Sequence, residues 1–238
     1  MTLDDIMKGL FGKGHDITRD GDVLTGHAEL EGGGTFAVIG AVNGAPLSPE
    51  GALQLAKHVL KVVEEGGDTP ILVLVDTEGQ LMARRAEMLG LNEYLSHLAK
   101  CLLLASREGH RTIGLEYGKA AAGAFLATAL ATDVLVALPG AEPAVMDLPS
   151  IARVTKLDLD KLKEMAKSTP VFAPGLDHLS QTGAVKAVWD PNKPLAPQLA
   201  ATLKEASPED RRDVLGKERE GRPVAANVAR RVIAAATA

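Results

Sequence analysis

The chain has 238 residues, 46% of them hydrophobic and 24% charged, enough apolar surface for the core of one large globular unit or two small ones. With 26 basic against 31 acidic residues, a net charge of −5 and only 3% aromatics, the composition argues against a broad nucleic-acid surface. One cysteine excludes an intramolecular disulfide framework and any multi-cysteine metal site. The acidic start Met1-Thr2-Leu3-Asp4-Asp5, with no apolar run near the ~20 residues a bilayer requires, sets the expectation of a soluble, cytoplasmic protein that neither enters nor spans a membrane.

Leu3, Ile6, Met7, Leu10 and Phe11 recur at helical spacing and predict a short amphipathic helix docked on the body or on a partner. A Gly- and Asp-rich stretch from Gly12 to Gly34 follows, with a strand expected at Val23–Leu30 and a tight turn at Gly32-Gly33-Gly34. Thr35–Val42 reads as a strand. Ser48-Pro49-Glu50 is a helix start with Ser as cap and Pro at the first helical position, and Leu53, Ala56, Leu60 and Val63 are the expected inner face. Pro70–Val75 is apolar without alternation, as a strand covered on both faces should be. One long helix is expected from about Ala83 to Arg107, with Leu91, Leu95, Leu98, Leu102 and Ala105 in its stripe and Cys101 in the core.

Thr112–Tyr117 is the next expected strand, Gly118 a turn, Ala120–Ala131 a helix of small residues and Val134–Leu138 a further strand. Ala144–Met146 and Ala184–Trp189 read as short strands; Ile151–Thr155, Leu159–Lys167, Leu195–Ala206, Pro208–Leu215 behind a Ser207 cap, and Pro223–Ala236 read as helices. Strands alternating with helices imply right-handed crossovers and a mainly parallel sheet. No linker divides the chain, so the expected organisation is one domain over 1–238: an N-terminal arm (1–34), an α/β core (35–190) and a helical tail (191–238).

Two segments share one design, an apolar strand entering a Gly-containing turn and then a helix start: Val73-Leu74-Val75-Asp76-Thr77-Glu78-Gly79-Gln80 and Ile113-Gly114-Leu115-Glu116-Tyr117-Gly118-Lys119-Ala120-Ala121-Ala122-Gly123-Ala124. At a helix start the first backbone N–H groups lack intrahelical partners and carry partial positive charge, and Gly or Ala leaves room for a ligand oxygen to approach. Two such turns side by side can aim two amides at one oxygen, an oxyanion hole. The bland alternative is that small residues there only let a helix pack tightly on the sheet.

The blocks Val75-Asp76-Thr77, Ala83-Arg84-Arg85-Ala86-Glu87-Met88-Leu89-Gly90, Gly118-Lys119-Ala120-Ala121-Ala122-Gly123-Ala124-Phe125-Leu126 and Ile151-Ala152-Arg153-Val154-Thr155 occur in an order that resembles the gamma subunit of malonate decarboxylase, from about Pro70 to Trp189. That family is similar to the carboxyltransferase subunits within the ClpP/crotonase superfamily. The resemblance implies a spiral of ββα units with a mainly parallel sheet and C-terminal helices. It also implies a homologous beta-type partner subunit and an acyl-carrier protein as partners, with no nucleic acid. Together they would decarboxylate a malonyl thioester on the carrier to the acetyl thioester. The expected catalytic positions are Gly79, Gln80, Ala121, Ala122 and Gly123; the expected substrate-binding ones are Gly118, Lys119, Ala120, Asp147 and Arg153. No metal or cofactor is expected on this chain, the thioester arm being a CoA-derived prosthetic group on the carrier. The alternatives are a carboxyltransferase subunit passing the carboxyl group to biotin on a partner, and a non-catalytic structural subunit.

The chain departs from the family's usual Pro at Glu78, Ser-Gln at Gly79-Gln80 and Met-Ser at Ala121-Ala122. ClpP-type peptidases carry a Ser at this helix start and a His beyond it; here the turn is Ala120-Ala121-Ala122, with no His between His110 and His178, so hydrolysis by a Ser–His pair lacks its parts. Asp147 is the better-placed carboxylate for acid–base work, and Glu142 the weaker. Lys119 is read either as a contact for an anionic ligand or as a solvent-facing side chain. Arg84 and Arg85 are read as a contact for an acidic partner or as pairs with Glu78 or Glu87. The six histidines show no metal-ligand spacing.

Overall fold

The computed structural model describes residues 1–12, 15–170 and 173–237; within the Gly12–Gly34 stretch, residues 13 and 14 lie outside the described residues. In chain order the first half holds α1 (Leu3–Phe11), β1 (Thr18–Asp20), β2 (Val23–Glu29), β3 (Thr35–Gly44), α2 (Pro49–Glu65), β4 (Ile71–Thr77), α3 (Arg84–Met88), α4 (Leu91–Arg107) and β5 (Thr112–Ala121). The second half holds α5 (Ala122–Ala127), β6 (Val134–Ala137), β7 (Glu142–Ala144), α6 (Leu148–Thr155), α7 (Leu159–Ser168), α8 (Leu176–Gln181), β8 (Ala187–Val188), α9 (Leu195–Glu205), α10 (Arg212–Glu218) and α11 (Ala225–Ala236). The sheet runs β1-β2-β3-β4-β5-β6-β8, with β7 paired to the far end of β5. The β1–β2 and β2–β3 pairs are antiparallel; every other pair is parallel.

Side chains alternate across each strand, so the sheet feeds two cores. Ile39, Val73, Val75 and Leu135 pack under α2, α4 and α5, while Val38, Leu72, Leu74, Leu115 and Val136 pack under α1 and α9. The first helix buries Ile6, Met7, Leu10 and Phe11 against the body, and Thr2 with Asp5 closes a capping box at its start. The stretch expected as an arm thus supplies two strands and a packed helix, and the expected tail supplies α9 to the same core.

Several expected boundaries differ. On α2 the buried residues include Ala52, Leu55, Ala56, Val59 and Val62, and Leu53 is exposed; the inner face is rotated by roughly one residue from the expected stripe. The long helix is two, because Gly90 takes a left-handed conformation (φ 79°) that breaks the ladder after α3. Gly118 is not a turn. β5 continues to Ala121, and the register shifts between Val75–Glu116 and Thr77–Ala120, so four β5 positions oppose two on β4. Helix α5 accordingly starts late and ends at Ala127. The helix expected from Pro208 begins at Arg212: Ser207 accepts from the Glu209 N–H in a local turn, and Asp210 accepts from the Arg212 N–H instead. The strand expected at Ala144–Met146 is Glu142–Ala144.

Candidate functional site at the junction of two turns

The parallel strands β4 and β5 are neighbours, so their C-terminal ends put the two turns side by side. Gly79, at φ +125°, occupies backbone space disfavoured for residues with side chains; its missing Cβ would lie 3.5 Å from the Ala121 carbonyl oxygen and 3.6 Å from the Ala122 Cβ. The Gly79 carbonyl accepts from Leu47 N–H at 2.8 Å and Leu81 N–H donates to the Leu47 carbonyl at 2.9 Å, which staples this turn to the connection between β3 and α2. Beneath it the Thr77 hydroxyl is fully buried and donates to the Ala45 carbonyl at 2.6 Å.

Asp76 joins the turns from the other side. Its Oδ1 accepts the Lys119 N–H at 3.0 Å, replacing a ladder bond lost at the bulge. A Cβ on Gly118 would meet Asp76 Oδ1 at 2.2 Å, so only glycine admits the carboxylate there. Ala122 opens α5 at φ +51°, a left-handed conformation that costs an alanine about 1–2 kcal/mol and that the small side chain makes tolerable. Strand, sharp elbow and helix follow in three residues.

Gln80 makes the most direct link. Its Oε1 accepts the Gly123 N–H at 2.9 Å, a bond spanning both turns. The expectation that the Gly123 amide faces a ligand is therefore corrected: it is held internally, because the Gln80 side chain reaches it. The Gly79 N–H likewise turns inward, toward Thr77 Oγ1 at 3.4 Å. Gly79, Gln80, Ala121, Ala122 and Gly123 come together, with Gly118, Lys119 and Ala120 on the adjoining bulge.

Asp147 and Arg153 sit apart from these bonds on α6. Asp147 caps that helix, accepting the Ser150 N–H at 2.7 Å, and that bond holds its carboxyl below the usual carboxylate range. The Asp147 carboxylate is engaged as a helix cap. Arg153 is exposed in the last turn of the same helix. Lys119 Nζ stands 4.0 Å from Glu78 Oε2, both half exposed. Arg85 pairs with Glu50 of α2 at 2.7 Å, neither of the partners expected.

One residue escaped the sequence argument. Glu116, on β5 beside Val75 and Ala137, is 0% exposed, and neither carboxyl oxygen has a hydrogen-bond partner. Burial alone pushes it up to about 8, so it is mainly protonated at pH 7. The Ile113–Tyr117 pattern reads as the end of a buried strand, and an acidic residue in it gives no signal of its own. Burial also raises the Cys101 thiol, as suits a core cysteine. Among the described residues no cluster of three His, Cys, Asp or Glu side chains forms a metal site, and no helix is long and apolar enough to cross a membrane.

The profile of the malonate decarboxylase gamma subunit family (MdcE) matches residues 42–236. A malonyl-S-ACP:biotin-protein carboxyltransferase, MADD, of Malonomonas rubra is 33% identical over 146 residues, 58% of this chain; the match spans half the length of that relative. The Pseudomonas malonate decarboxylase MdcD-MdcE hetero-dimer contains a chain 25% identical, with a TM-score of 0.76 over 95% of this chain and 96% of that one. A chain of the Pseudomonas hetero-tetramer in complex with coenzyme A superposes with a TM-score of 0.79 over the same shares at 24% identity. The transcarboxylase 12S core shares the fold (TM-score 0.70, 21% identity, 86% of this chain and 41% of that one).

Proposed function

The chain belongs to the malonate decarboxylase gamma subunit family, and on that premise we propose that, with a homologous beta-type subunit, it decarboxylates a malonyl thioester presented by an acyl-carrier protein. The thioester arm, a CoA-derived group, would arrive on the carrier, and this chain would need no cofactor of its own. The bond between the carboxylate and the methylene carbon breaks, carbon dioxide leaves, and the electron pair moves onto the thioester oxygen as an enolate. The methylene carbon then takes one proton. Hydrogen-bond donors fixed around that oxygen lower the barrier without a nucleophile, and one such donor is worth about 2.7–4 kcal/mol.

The observation that carries this reading is the junction itself: the turn after β4 and the elbow between β5 and α5 are tied by Gln80 and Gly123 and lined by Gly and Ala, with Ala122 in a left-handed conformation at the elbow. Reconstitution of the chain with its beta-type partner and a malonyl-loaded carrier tests it by measuring carbon dioxide release. The expected result is turnover that falls about 10²-fold when Gly123→Pro breaks the Gly123–Gln80 bond and lets the two turns shift; a variant as active as the wild type contradicts the reading. Proline at a first helical turn leaves the α5 ladder intact, so a melting curve separates loss of function from loss of fold.

A second reading, transfer of the carboxyl group to biotin, is favoured by one observation, the likeness to the Malonomonas carboxyltransferase. Adding a biotinylated acceptor domain to the same assay decides between them: carboxybiotin in place of carbon dioxide supports transfer.

A further inference from the structure

A backbone N–H only donates, so the atom of Gln80 that meets Gly123 N–H at 2.9 Å must be its carbonyl oxygen, and the amide orientation is fixed by that bond. Its nitrogen is thereby turned the other way. Among the described residues Nε2 meets only the Met82 thioether, at 3.7 Å, a weak acceptor on a side chain that is 78% exposed. Two N–H donors thus sit on a half-buried carboxamide, with no oxygen of the described residues accepting from them. The side chain is also held against sliding. A Cβ on Gly123 would meet Oε1 at 3.2 Å and Leu95 Cδ1 at 3.2 Å, so the carboxamide lies flat against the first turn of α5.

The geometry points to Gln80 as a catalytic residue whose Nε2 donates to the thioester oxygen, with the Gly123 amide serving to orient it. This assignment rests on the reading of the chain as a malonyl-thioester decarboxylase subunit. It moves the donor from the backbone to a side chain. The Gly123 amide, engaged within the chain, acts one step back, and the Gln80 nitrogen takes up charge as the carbon–carbon bond breaks. No covalent step or added reactant is involved; the nitrogen keeps its protons throughout.

Two substitutions in the reconstituted complex separate this role from simple bracing. Gln80→Glu keeps an oxygen for the Gly123 N–H and removes both donors; Gln80→Met removes donor and brace together. With malonyl-loaded carrier as substrate, both variants are expected to lose about 10²–10³-fold in kcat with KM changed far less, while Gln80→Glu melts close to the wild type. A Gln80→Glu complex that turns over like the wild type, with only Gln80→Met impaired, overturns the assignment, since it leaves bracing as the whole role. A loss confined to KM also overturns it. An inactive wild-type complex, by contrast, tells against the decarboxylase reading itself, so the two failures are distinct.

Discussion

Glu116 shows how one side chain can set the pH response of the whole fold. Its carboxyl is pushed up to about 8 by burial, above the ordinary value of 4.5 that it regains when unfolded. A raised acid binds more protons in the folded state, so its contribution is fully present below about pH 4.5 and is lost as pH rises toward 8, by about 1.4 kcal/mol per pH unit. Glu116→Gln removes the titration. Urea unfolding at pH 5 and pH 8 is expected to show the variant gaining on the wild type as pH rises; equal differences at both pH values would mean the carboxyl does not titrate in this range. Asp147 titrates in the opposite sense: its carboxyl is lowered by the Ser150 N–H, so its capping bond weakens only as the solution becomes acid.

At the scale of elements, the sheet is pinned at both ends by carboxylates. At the site end, Asp76 replaces a ladder bond at the β5 bulge. At the opposite end, Asp133, just before β6, accepts from the Ser106 hydroxyl of α4 at 2.6 Å and from Thr112 N–H of β5 at 2.9 Å. Asp133→Ala leaves those two donors buried without partners and is expected to cost about 3 kcal/mol in chemical denaturation, with the site unchanged; a cost below about 1 kcal/mol would show that water replaces the carboxylate. Most of the alternation of elements was legible in the sequence, because uninterrupted apolar strands and the Ser48-Pro49 and Gly66-Gly67 punctuation are local signals. The bulge was not. Gly118 reads as a turn until Asp76, 42 residues earlier, is known to fill the space beside it, and the same is true of Gln80 and Gly123, whose bond links positions 43 apart. Spacing brought these residues into consideration; long-range hydrogen bonds decide which of their atoms are engaged within the chain.

At the scale of the molecule, several large apolar side chains are left in solvent. Met82 and Met88 are 78% and 76% exposed, and Leu89 and Leu126 join them from α3 and α5. Helix α6 likewise has no buried residue, with Val154 exposed. Large apolar side chains left in solvent are what a partner subunit covers, and Met82 among them lies 3.7 Å from Gln80 Nε2 at the junction that the proposed mechanism uses. Met88→Asp is expected to weaken assembly with the beta-type subunit about tenfold or more while leaving the melting curve of the isolated chain in place. Unaltered affinity in a titration of the two subunits would place the interface elsewhere.

In the proposed mechanism this chain polarises a thioester carbonyl with fixed donors. The most direct measurement is the infrared difference spectrum of an acetyl thioester, ¹³C-labelled at its carbonyl and bound to the assembled complex. The carbonyl stretch is expected to fall to lower frequency on binding to the wild type and to return toward its solution value in the Gly123→Pro complex. A stretch that is unshifted in the wild type, or shifted equally in both, would contradict the account.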